Sequence, residues 1–156
     1  MQLIDLLAIS IHIIAATLWV GGIFLVYQVF RPAVMPMSPN IKLPLFVAIF
    51  TRFFKWVWLF IALLVITGYL DWQYRFTATD TAPLYIHLMH ILGWVMIILF
   101  AWLYFKPYQQ LQQAVDSSSF PEAGNIINTK MRPIIIINLF LGIMEAIIGV
   151  TGPYWS

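Results

Sequence analysis

Leu84-Tyr-Ile-His-Leu-Met-His-Ile-Leu-Gly-Trp-Val-Met-Ile-Ile-Leu-Phe-Ala-Trp-Leu-Tyr-Phe105 runs for 22 residues without Asp, Glu, Lys or Arg. About 20 mostly apolar residues suffice for a helix to cross a bilayer, so this stretch reads as a membrane span. It also carries His87 and His90 one helical turn apart, with Met89 between them. Ionisable residues inside a span are costly to bury, and they mark candidate functional sites.

Three further runs have the same character. Leu3 to Phe30 is interrupted only by Asp5, Ser10, His12 and Gln28, and it is expected to end at Arg31-Pro32. Leu43 to Leu70 carries Arg52 and Lys55 near its start, which suggests an amphipathic entry through the interface before the apolar part. Ile134 to Val150 follows Arg132-Pro133, with proline in the first turn. The spans are thus about 3–30, 43–70, 84–105 and 134–150 of one domain, 1–156. Between them, Pro32 to Asn40 holds three prolines and reads as a loop. Asp71 to Pro83 is a short polar link. Tyr108 to Val115 is expected to prolong the third helix into water, and Ser117-Ser-Ser-Phe-Pro121 to break it.

Composition agrees. The chain is 62% hydrophobic and 9% charged, against roughly 25% charged in a soluble domain. Cysteine is absent, so disulfides and thiolate metal sites are excluded. The expected fold is an all-α membrane protein, a four-helix transmembrane bundle in up-down-up-down order. The first basic residue is Arg31, too late for the basic start of a cleavable signal peptide. Seven of the eight basic residues fall on one side (Arg31, Lys42, Arg52, Lys55, Lys106, Lys130 and Arg132), and only Arg75 falls on the other. By the positive-inside rule both termini face outward, the periplasm of a bacterium. Basic residues placed this way report topology and argue against nucleic acid as a partner. Trp72, Tyr74, Tyr85, Tyr154 and Trp155 would form the outer aromatic belt, and Tyr27, Trp56 and Tyr104 the inner one.

In that topology the ionisable residues share a depth. His12 lies roughly 13 Å from the outer end at 1.5 Å per residue. His87 and His90 lie just inside Pro83, and Glu145 lies a few residues before Pro153. Thr67 and Asp71 close the outer end of the second span. Residues three or four apart share a helix face, which defines four stripes. They are Asp5-Ala8-His12-Ala15-Trp19-Gly22, Trp56-Phe60-Leu63-Thr67-Asp71, Pro83-His87-His90-Trp94-Ile97-Ala101 and Asn138-Gly142-Glu145-Gly149. Each mixes polar or small residues with apolar ones, as inward faces of membrane helices do.

Two chemistries fit three histidines without cysteine. Copper accepts imidazole and thioether ligands. His12, His87 and His90 are then the metal ligands, with Glu145 and Met89 as further ligands or as groups that orient them. Haem b is the alternative. It would take His12 and either His87 or His90 as axial ligands, with Trp19 and Trp94 against the ring and Arg75 or the spare histidine at a propionate. The plainer reading of each histidine is a hydrogen bond to a neighbouring helix, and of Met89 simple packing.

The motifs also resemble a known family. His12-Ile-Ile-Ala-Ala-Thr-Leu-Trp-Val-Gly-Gly-Ile-Phe24, followed by Arg31-Pro-Ala33, is similar to the first helix of the CopD family of copper-resistance membrane proteins. Arg52-Phe53 with Trp58 and Thr67-Gly68 resembles its second helix, Tyr85-Ile-His87 its third, and Asn138-Leu-Phe-Leu-Gly142 with Gly149 its last. The resemblance implies a four-helix domain of the bacterial inner membrane that handles copper. Its partners would be the lipid bilayer and a periplasmic copper or redox protein; self-association into a homo-oligomer is left open. Helices one and three also look similar to HemJ-type protoporphyrinogen oxidases. Those are expected to carry a lysine where this chain has Met89, which argues against that oxidase activity. The inner halves of the stripes hold Trp19, Phe60, Trp94 and Ile97 rather than a polar track. Binding, sensing or redox work at the outer face is therefore expected, rather than a channel or an enzyme.

Overall fold

The computed structural model describes the backbone of residues 3–75 and 82–155 and the side chains of 3–73 and 82–155. The expected roles of the Tyr74 and Arg75 side chains therefore lie outside the described residues. Helix α1 spans Leu3–Phe24, α2 Arg31–Val34, α3 Pro39–Arg75, α4 Leu84–Phe105, α5 Pro107–Asp116, α6 Phe120–Ile126 and α7 Arg132–Thr151. There is no strand among the described residues. Four helical stretches are long and apolar enough to cross a membrane: Leu3–Val34, Pro39–Gln73, Leu84–Asp116 and Phe120–Tyr154. With the large apolar side chains that line their outward faces, such as Leu7, Ile14, Ile66, Ile98 and Phe140, they make a multi-pass membrane protein.

One expected stop does not stop the chain, and one expected start is not a start. The first helix was expected to end at Arg31-Pro32, and it continues to Val34 through a π-helical stretch, Leu25–Phe30. The same device recurs at Ile127–Met131, directly before Arg132-Pro133. Proline has no N–H, and its ring crowds the carbonyl four residues back. A wider π turn just upstream shifts that carbonyl, so the helix passes each Arg-Pro pair without ending. Likewise, the segment after Ser119 was grouped with a polar loop and is helical from Phe120 onward. The break itself falls at Ser117–Ser119 as the serine run suggests, and Ser118 takes a left-handed conformation with φ 58°.

Contacts pair the long helices. In α1 and α3, His12 meets Thr67 and Gly22 meets Phe53. In α4 and α7, Met89 meets Gly149, Gly93 meets Glu145 and Met96 meets Gly142. Val20 of α1 also meets Gly142, which ties the two pairs together. A Cβ at Gly22 would collide with the Phe53 ring, and one at Gly142 with Val20, so glycine sets how closely these helices approach.

The seam between α3 and α4 is filled differently, by large rings. Phe54 packs edge-on to Phe100 at 5.3 Å and to Tyr108 at 5.0 Å, and Trp58 to Phe100 at 5.3 Å. Phe46, Phe50 and Phe54 stack along α3 at one-turn intervals. Arg52 and Lys55 are exposed while Phe50, Phe54 and Val57 are buried, which gives this part of α3 the expected two-faced character. Beyond the apolar spans, α5 and α6 form a hairpin that prolongs the core through Leu111, Ala123 and Met131. The Tyr108 hydroxyl and Thr51 Oγ1 share a hydrogen bond of 2.6 Å there.

Candidate functional site

Of the polar groups that sequence spacing places at one depth, the structure brings His12 of α1 to Thr67 of α3, and His87 and His90 at the start of α4 to Trp72 of α3. On α1, Asp5, Ala8, Ala15 and Trp19 are buried and His12 is half-buried, so that stripe faces inward as expected. On α7, Asn138 and Gly142 are buried and Glu145 is half-buried. On α3, Thr67 is buried and Asp71 half-buried, but Trp56 at the other end of the stripe is exposed. The α4 stripe departs most. His90 is half-buried, His87 is exposed, and Trp94 is 44% exposed. The buried side of α4 is Met96, Phe100 and Leu103 instead. The stripe was chosen through the histidines, whereas the packing of α4 is set by its largest apolar side chains.

His12 is held by a short relay. Thr67 Oγ1 donates to the Leu63 carbonyl at 2.6 Å, and His12 Nδ1 lies 2.9 Å from the same oxygen. A hydroxyl has one proton. With that proton given to a carbonyl, Thr67 accepts from His12, and Nδ1 carries the hydrogen. The His12 Nε2 lone pair is then free to accept or to ligate. Gly68 leaves room for the ring: a Cβ there would lie 3.5 Å from His12 Cε1.

His90 shows the same pattern with a different acceptor. Its Nδ1 is 3.3 Å from the Ile86 carbonyl, an atom that can only accept, so here too Nδ1 is the donor, and in the neutral ring Nε2 is the free lone pair. The ring is clamped by α3, edge-on to Trp72 at 5.0 Å and to Tyr69 at 5.5 Å. Trp72 also packs edge-on to His87 at 5.2 Å. Asp71 and His90 both lie within electrostatic range of the His12 ring. Trp72 thus does more than the belt role expected of it, and Tyr69 joins it: the two lie three residues apart and share a face on α3 against His90.

The remaining expected residues are dispersed. Glu145 lies against α4 at Gly93, where a Cβ would stand 3.6 Å from Oε1, and among the described residues this buried oxygen has no hydrogen-bond partner. Met89 is turned to α7, its Sδ 3.9 Å from where a Gly149 Cβ would be. Trp19 is buried lower in the bundle, edge-on to Phe100. Among the described residues no three His, Cys, Asp or Glu side chains converge closely enough to hold one metal ion. A small apolar cavity lies beside Trp19 and Asn138, and no histidine lines it. These observations lend the haem alternative no support.

The site therefore consists of two imidazoles of matched tautomer, an exposed third imidazole on the same tryptophan, and a carboxylate one helix away. Comparison of the sequence with curated proteins and with solved structures gave no match. The family model for copper resistance protein D matches residues 47–152, from within α3 to the end of α7. That segment includes Thr67, Trp72, His87, His90 and Glu145, while His12 and the first-helix motif precede it. The match covers more than half of the chain, and the chain belongs to the copper resistance protein D family.

Proposed function

We propose that this protein handles copper at the outer half of a four-helix, single-domain bundle in the bacterial inner membrane. His12, His87 and His90 would bind the ion, and Glu145 and Met89 would orient or complete its shell. Family membership suggests a role in copper resistance. The observation that carries the site is the shared tautomer of His12 and His90. Each ring gives its Nδ1 proton to a fixed acceptor, which leaves Nε2 as a metal ligand, the arrangement typical of metal-binding histidines. Imidazole suits copper, and thioether suits Cu(I) in particular. The donors lie on α1, α4 and α7, so these helices would have to draw together around an ion. That suits transient capture and release, with a periplasmic copper or redox protein as the exchange partner.

The topology belongs to the same proposal. The order of contacts along α1 and α3, and along α4 and α7, supports antiparallel neighbours and an up-down-up-down bundle. The distribution of basic residues supports both termini facing the periplasm.

The test is copper retention by the purified protein, loaded with Cu(I) and measured by elemental analysis. Replacing His12 or His90 with Ala should lower bound copper severalfold, and the His87→Ala/His90→Ala pair should abolish it. Unchanged copper in the pair would rule the site out. A Soret band in the absorption spectrum, lost in His12→Ala, would replace this reading with the haem one.

A further inference from the structure

The two Arg-Pro segments meet at the other end of the bundle. The α1 segment brings Tyr27 and Arg31, and the α7 segment brings Arg132. The Arg31 guanidinium lies over the Tyr27 ring, 5.7 Å from its centroid. Arg132 Nε donates to the Tyr27 hydroxyl at 3.1 Å. One tyrosine thus contacts two guanidinium groups, one over its ring and one at its hydroxyl, and both arginines line the same groove. Among the described residues neither has an acidic partner, and the sequence offers none nearby. The acids flanking Arg31 are Asp5 and Asp71, and those flanking Arg132 are Glu122 and Glu145. Two like charges on one tyrosine are stabilised by an anion between them, and guanidinium forks match a phosphate in shape.

The arginines stand at the mouth of a groove between α1, α3 and α7. Its walls are Phe46, Phe50, Ile127 and Ile135. A doubly cationic mouth over an apolar trough fits an amphiphile with an anionic head. A free phosphate would use the mouth alone and leave the trough uncovered. Basic pockets between membrane helices hold anionic lipid heads in this way.

We propose that Arg31, Arg132 and Tyr27 form a binding site for the phosphate of an anionic glycerophospholipid, with one acyl chain along the groove walled by Phe46 and Ile135. The site is independent of the copper proposal, because it shares no residue with it.

The experiment is native mass spectrometry of the full chain released from detergent micelles doped with equal amounts of phosphatidylglycerol and phosphatidylcholine. The wild-type protein should retain phosphatidylglycerol roughly thirtyfold over phosphatidylcholine, since each of the two arginines near anionic lipid contributes on the order of 1 kcal/mol. The Arg31→Gln/Arg132→Gln variant should lose that preference, and Lys42→Gln should keep it. Equal retention of the two lipids by the wild type, or a preference that survives the double substitution, would overturn the site. A melting temperature raised as much by inorganic phosphate as by phosphatidylglycerol would assign the mouth to free phosphate and overturn the lipid reading. Should the double variant fail to fold, Ile135→Trp takes its place, filling the groove and leaving both charges. Preference lost there supports the proposal, and preference kept refutes it.

Discussion

At the scale of single residues, the histidines of this chain differ in how they are held. His12 has a partner on another helix, Thr67, whose own proton is committed to Leu63. His90 has its own helix carbonyl and two aromatic rings of α3. His87 packs against the Trp72 edge and is exposed. Hydrogen bonds between membrane helices contribute on the order of 1 kcal/mol. Thr67→Val, which keeps the shape and removes the acceptor, should therefore lower the melting temperature of the purified protein by a few degrees, while Thr67→Ser should hold it near the wild-type value. Equal melting of all three would mean that the His12–Thr67 contact does not stabilise the bundle. The identity of the candidate ligands was legible because an ionisable residue stands out in an apolar run. Thr67 and Gly68 were legible as part of an inward stripe and a family motif, but the pairing of Thr67 with His12 and of Tyr69 with His90 was not, because it depends on what α1 and α4 set beside them.

At the scale of elements, small residues and prolines decide how the helices run. Gly142 lies where α7, α1 and α4 converge, with Val20 and Met96 against it, and a Cβ there has no space. Gly21 faces open space. Gly142→Val should cost about 2 kcal/mol or more through overpacking, and Gly21→Ala should be neutral or slightly stabilising because alanine is the better helix former. Thermal unfolding of the two variants side by side checks the contrast. The Arg-Pro pairs teach a related lesson. Proline in a helix pattern suggests an end, and the usual reason is the clash with the preceding turn. Here the preceding turn widens into a π-helical stretch at both Leu25–Phe30 and Ile127–Met131, and the helix passes on. Sequence pattern carries no sign of that, because π turns follow from local accommodation rather than from a residue code.

At the scale of the whole molecule, the proposed up-down-up-down order would leave most basic residues on one side. A reporter fused to the C-terminus should therefore read as external, and a cytoplasmic signal would overturn the proposed orientation. That the protein crosses a membrane four times, and which ionisable residues lie within the apolar runs, was determined by the sequence alone. Both follow from hydropathy, which acts residue by residue in a lipid solvent and needs no knowledge of partners. Membership of the copper resistance protein D family likewise rests on sequence. Which side of α4 faces inward was decided only in three dimensions. Met96, Phe100 and Leu103 fill the space left by α3 and α7, and this turns Trp94 and His87 outward. The separation of Glu145 and Met89 from the His12–His90 pair has the same cause. A span apolar on nearly every side has no polar stripe to fix its rotation, so the shapes of its neighbours fix it.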